Sequence, residues 1–353
     1  MRSPFFILII LTAPLSLYQK ITRLTALSIF LLFLFGGLVR ATGSGMGCPD
    51  WPKCFGLLAP PTCECDLKPG YETIFLEKRL AKVQRMAGVL DGLGMTGKAN
   101  ELRNNQEILK PEKFNALKAW IEYINRLFGV LSGLLALASL FLAFKYRKSL
   151  KKVFWWTVVG FVLLLVNAWL GSIVVATNLL PGIVSIHFLA AFLCLFTFIL
   201  ALQAERPLPF VTGFNGIDSF VPKLTFIFIF VIVMLGVFSR ELVEQLILND
   251  NLVKNGELNH ADMGFLFVLH RYLPIILIGS IVYVIRLHKK ENQNYTILSW
   301  LLLLSVIQIG LGVINIKWVL PMWTQTVHVV IGACIPVLAF IYYRLYTQWE
   351  TIK

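Results

Sequence analysis

The chain has 353 residues, 57% of them hydrophobic and 14% charged, with a mean hydropathy of +0.74. That balance excludes a soluble globular domain and defines a polytopic membrane protein. The net charge of +13 would point to nucleic acid in a soluble chain, but here the cations gather in short loops and set topology, so no nucleic-acid partner is expected.

A spanning helix needs about 20 mostly apolar residues, and eight such runs occur, at 24–41, 118–144, 153–177, 182–203, 222–238, 263–286, 296–316 and 321–343. None alternates apolar and polar residues as a barrel strand does. The expected fold is all-α, eight transmembrane helices arranged as two pseudo-repeated four-helix bundles. Residues 1–23 form a lead, 24–203 the N-terminal half with an outer loop at 42–117, 204–221 a cytoplasmic linker and 222–345 the C-terminal half. The lead has a short apolar core interrupted by Pro14, and Lys20 and Arg23 keep its end inside. It reads as an uncleaved interfacial segment rather than a signal peptide. Lys145, Arg147, Lys148, Lys151 and Lys152 fill the second loop, and Arg286, Lys289 and Lys290 the sixth. Short loops rich in Lys and Arg stay in the cytoplasm, which places both termini there too.

The outer loop opens with VRATGSGMGCPDWPKCFG, residues 39–56, in which Cys48 and Cys54 flank a turn with two prolines. Cys63 and Cys65 follow, and four cysteines in an oxidising compartment allow three pairings. A metal site is the rival use of these thiols. Cys194 and Cys334 fall inside spans and read as packing residues. From Tyr71 to Met86, Leu76, Leu80, Val83 and Ala87 recur at helical spacing with cations on the other faces. This amphipathic helix lies on the outer bilayer surface, caps the bundle, or forms a solvated hairpin.

A repeat ties the two halves together. VNAWLGSIVVATNLLPGIVSIHFLAAF at 166–192 is echoed about 140 residues later by IQIGLGVINIKWVLPMWTQTVHVVIGA at 307–333. In each copy 17 positions separate the Leu-Gly leucine (Leu170, Leu311) from a histidine (His187, His328) across a Leu-Pro turn. Equal spacing presents one histidine at the same depth in the fourth and eighth spans. His270 in the sixth span is a third membrane histidine, and an ionisable side chain there is a functional candidate. His260 and His288 lie in polar segments and are expected to be solvated.

Asn125-Arg126 in the second span aligns with His270-Arg271 in the sixth. The C-terminal half therefore offers two histidines, and the N-terminal half one histidine and an asparagine. Facing imidazoles from two helices of a bundle hold a haem iron axially. Glu122 sits one turn before Asn125, where the sixth span has Phe267. A buried carboxylate is paired or used, and Arg126 four positions on is its available partner. A haem held by His187 alone keeps its other face open, beside an acid.

Through the outer-loop motif, EYINR, LHR and the duplicated Leu-Gly to histidine unit, nearly the whole chain resembles the haem A synthase family. The resemblance implies an oxidoreductase of the bacterial inner membrane that oxidises the C8 methyl of haem O to a formyl group, giving haem A for cytochrome oxidase. It implies that His270 and His328 ligate a haem b cofactor, that His187 belongs to the substrate haem site with Asn125 and Arg126, and that Glu122 is the essential acid. Arg126 and Arg271 are the implied propionate partners. Cys48 and Cys54 match a disulfide found in part of the family. The implied partners are haem O, membrane lipid, an electron partner, haem O synthase and the machinery of cytochrome oxidase assembly. The chain departs from the family pattern at Asn125, where a histidine is usual. A di-haem electron carrier would instead have two histidines per half and no acid, and a haem transporter or chaperone would interrupt its helices near the midplane.

Overall fold

The computed structural model describes residues 15–50, 52–92, 94–104, 111, 113–176, 182–205, 220–248, 253–254, 257–258, 264–290 and 294–347. The chain runs through α1 (Leu17–Ala41), the helices α2 (Tyr71–Gly92) and α3 (Thr96–Arg103) of the long first loop, then α4 (Ala116–Ala143), α5 (Lys151–Ala176) and α6 (Ile183–Glu205). The second half is α7 (Phe220–Leu248), α8 (Gly264–Lys290), α9 (Thr296–Lys317) and α10 (Met322–Thr347). A two-residue antiparallel hairpin, β1 (Val253–Lys254) with β2 (Glu257–Leu258), sits between α7 and α8. Among the described residues, eight helices are long and apolar enough to cross a membrane: α1 and α4 to α10.

In hydrocarbon every backbone N–H and C=O must be satisfied within the protein, so apolar runs of this length close as helices. Helices α1, α4, α5 and α6 pack as a closed ring of four, and α7, α8, α9 and α10 as a second. The rings meet along α1 against α10 and α6 against α7. Each contact in one half thus has its counterpart in the other. Phe33, Phe192, Phe196, Phe226, Phe230 and Phe340 interlock along the seam, with Phe196 and Phe340 stacked at 4.5 Å. Within the N-terminal ring, Thr22 and Thr25 of α1 meet Ser139 of α4 through their hydroxyls. Small polar residues let two helix backbones approach closely where no hydrophobic force separates protein from lipid. Outward faces carry Phe141, Trp155, Trp169, Ile275 and Ile276.

Helix α1 begins at Leu17, ahead of the expected residue 24, because Ser16 and Gln19 form a capping box. Helix α7 runs ten residues past the expected 238, to Leu248, carrying Arg240 and Glu241. The amphipathic segment is the helix α2; it pairs with α3, and their shared cluster of Val83, Ala87, Ala99 and Leu102 rests on Ile183, capping α6. His288, expected in solvent, is buried. Its Nδ1 faces the Val284 carbonyl (2.9 Å), and Tyr342 closes over its Nε2. The apolar length of α10 supplies that cover, which charge counting around Lys289 and Lys290 conceals. His260 and Pro181 lie outside the described residues.

Candidate functional site

Glycines in three helices explain how the histidines are seated. A methyl group at Gly236 of α7 would lie 2.5 Å from Cε1 of His270, at Gly171 of α5 3.2 Å from that of His187, and at Gly312 of α9 3.6 Å from that of His328. Each histidine ring therefore lies against a neighbouring helix at a position that lacks a side chain. The fourth equivalent is Gly36 of α1, placed like Gly236 four residues before an arginine (Arg40, Arg240). At Gly36 a methyl would meet nothing within 4 Å. Asn125 of α4, at the position equivalent to His270, does not come within 4 Å of that point.

In the C-terminal half His270 and His328 meet, their ring centres 6.4 Å apart and their planes at 82°. Two imidazoles on opposite sides of one metal, each with a metal–nitrogen bond of about 2 Å and ~1 Å more to the ring centre, put those centres roughly 6 Å apart. His270 Nδ1 lies 3.0 Å from the Ile232 carbonyl, which can only accept. That fixes the proton on Nδ1 and leaves the Nε2 lone pair for a ligand, the usual supporting contact of a metal-bound histidine. His328 lies beside the backbone of Gln308, and His187 beside that of Asn167. Neither Nδ1 completes a hydrogen bond of good geometry there. Asn167 and Gln308 are themselves equivalent positions of the repeat. Pro274 follows His270 by four residues, so the His270 carbonyl lacks its helical donor. The residues present fit a haem iron held between α8 and α10.

In the N-terminal half Glu122 is buried in α4 and joined to the outer loop. Its Oε2 accepts the Cys48 N–H (2.8 Å), and its Oε1 accepts from Arg126 Nε (3.1 Å) and Nη2 (2.5 Å). Arg126 also donates from Nη1 to the carbonyls of Asp50 (2.6 Å) and Lys53 (3.0 Å), and from Nη2 to that of Cys48 (2.9 Å). A guanidinium has five N–H groups, and all five are engaged. Cys48 and Cys54 are joined by a disulfide and fully buried. Cys63 and Cys65 form a second one, exposed, so the four outer cysteines pair with each other. Gly47 makes the approach possible: a methyl there would lie 2.5 Å from the Lys118 carbonyl. The Oδ1 of Asn125 is buried and makes no hydrogen bond among the described residues. Arg271 is exposed, its guanidinium 5.6 Å over Tyr272.

Among the described residues no three His, Cys, Asp or Glu side chains converge as a metal-ion site. The structure therefore brings together Cys48, Cys54, Glu122 and Arg126 at one place and His270 with His328 at another, while His187 pairs with Gly171. Sequence reasoning missed Glu241, a buried carboxylate of α7 that accepts the backbone N–H groups of Gly182 (3.0 Å) and Ser185 (2.9 Å) at the start of α6. A carboxylate closing an apolar run was the available signal.

The two rings, their membrane histidines and the disulfide-braced loop define a polytopic membrane protein with two facing imidazoles inside its C-terminal bundle. The profile of the cytochrome oxidase assembly protein family (COX15-CtaA) matches residues 19–73 and 98–340, and the chain belongs to that family. It is 24% identical over 335 residues to a heme A synthase of Shewanella oneidensis, covering 87% of this chain and 89% of that protein.

Proposed function

We propose that this chain is a haem A synthase, oxidising the C8 methyl of haem O to a formyl group in a bacterial inner membrane. One observation carries the reading: equivalent positions hold His270 and His328 in one half but Asn125 and His187 in the other, with Glu122 one turn from Asn125. A symmetric electron carrier would have no use for that difference. Haem b between His270 and His328 supplies one-electron transfer. His187 orients the substrate haem from α6, across from Asn125. The Asn125 amide is short and does not replace an imidazole, and the space beside Gly36 on α1 is open. Glu122 would hold or pass protons as the methyl is hydroxylated twice and the gem-diol loses water, an external oxidant supplying the oxygen and the oxidising equivalents and the electron partner closing the balance. Arg126 pins that carboxylate to the Cys48–Cys54 turn. Since its five donors are engaged, the propionate role falls to Arg271.

The test is haem extraction and chromatography from membranes of a host that makes haem O, with and without this protein, alongside Glu122→Gln and Glu122→Ala. Haem A should appear with the intact chain and fall with Glu122→Gln, which keeps an acceptor for Cys48. Recovery of only haem B and unchanged haem O from folded, haem-loaded protein would overturn the reading.

A further inference from the structure

Helix α7 belongs to the C-terminal ring, yet its outer end reaches both histidine-bearing helices of the repeat. Glu241 is buried and caps the first turn of α6 with both carboxylate oxygens, through Gly182 and Ser185. Ser185 lies two residues before His187. Neighbouring Arg240 donates from Nη2 to Gln325 Oε1 (2.8 Å) in the first turn of α10, three residues before His328. Gln325 in turn donates from Nε2 to the Leu320 carbonyl. Val319 and Leu320 there have φ of +50° and +58°, a conformation that branched and bulky residues adopt only when their surroundings impose it. Successive helical residues point about 100° apart, so one turn of α7 can serve two neighbours.

We infer that Glu241 is a positioning residue for His187 supplied by the opposite half, and that with Arg240 it fixes the outer ends of α6 and α10 to one turn of α7. A carboxylate accepting the free N–H groups of a helix start also meets the positive end of that helix's dipole. Among the described residues that lead into α6, Gly182 has no side chain that could take its place. The site of His187 is thus complete only when both rings are docked. The inference rests on His187 being the seat of the substrate haem.

The test uses full-length protein with Glu241→Ala, the isosteric Glu241→Gln and the wild type. Hydrogen exchange over residues 182–190 needs no haem, and Glu241→Ala should speed it about tenfold or more, with Glu241→Gln between. In haem-loaded protein the spectral signature that depends on His187, identified with His187→Ala, should shift in Glu241→Ala. The signature that depends on His270 and His328 should stay, which also shows that the variant is folded. Unchanged exchange at 182–190 would overturn the inference, as would faster exchange with an unmoved His187 signature. If wild type has no His187-dependent signature, the proposed function fails, and the exchange result alone decides the capping role of Glu241.

Discussion

At the scale of single residues, the glycine seats give a graded expectation. Alanine at Gly236 forces a methyl to 2.5 Å of the His270 ring, at Gly171 to 3.2 Å of His187, at Gly312 to 3.6 Å of His328, and at Gly36 into open space. Real Cβ atoms do not approach at 2.5 Å, so His270 must leave its seat in Gly236→Ala. Loss of the haem signal should rank Gly236→Ala first, Gly171→Ala next, and Gly312→Ala and Gly36→Ala last, read from haem stoichiometry of the purified variants. Equal losses at all four would show that the seats do not position the rings. Arg126 gives a second expectation. Removing one partner of a buried ion pair leaves an uncompensated charge and costs about 3–5 kcal/mol; Arg126→Ala also frees three carbonyls of the Cys48–Cys54 turn. The disulfide is fully buried in the intact protein. In Arg126→Ala it should become reducible by a membrane-impermeant thiol roughly tenfold faster or more, measured by alkylation and mass spectrometry. Arg126→Lys, with three donors on one nitrogen, should not rescue it.

Among the elements, α6 and α10 are the most enclosed, with 44% of their apolar windows buried against 17–28% for the other spans. Both are seam helices, and their contact is aromatic. Phe340 is nearly buried and stacks on Phe196. Phe340→Ala should cost roughly 3–5 kcal/mol and lower the unfolding temperature in detergent, whereas alanine at lipid-facing Phe141 should leave it nearly unchanged. A smaller loss at Phe340 than at Phe141 would show that the seam does not hold the halves together. The eight spans were legible because each is a long apolar run, and the duplicated histidine unit because its spacing survives across a short turn. The pairing of Glu122 with Arg126 was legible as well, being local on one helix. What Arg126 does beyond Glu122 was not, because Asp50 and Cys48 lie more than 70 residues away in sequence. The end of α7 was hidden for another reason: Arg240 and Glu241 stop an apolar run when counted as charges, though both bond to neighbouring helices. The seat at Gly236 was equally hidden, since it faces His270 of the next span with no fixed spacing.

For the molecule as a whole, the two rings share one plan and differ at Glu122 and Asn125, which stand where the C-terminal ring has Phe267 and His270. The C-terminal ring closes its site with a second imidazole; the N-terminal ring has an asparagine there, a buried unsatisfied Oδ1 and open space at Gly36. Asn125→His should therefore make the halves alike. The new ring would stand where the repeat places His270, whose Nδ1 faces the Ile232 carbonyl of α7, and Gly36 leaves open space on α1. Haem content should be retained, a second doubly imidazole-ligated signature should appear in the absorption spectrum, and conversion of haem O should fall roughly tenfold or more. Asn125→Ala separates the effect of a ligand from that of a lost amide: it should leave the spectrum of the C-terminal site untouched and add no second signature. Full conversion by an Asn125→His protein that shows the second signature would mean that the difference between the halves is not what divides chemistry from electron transfer. Loss of conversion together with that signature would place the open face in the N-terminal ring.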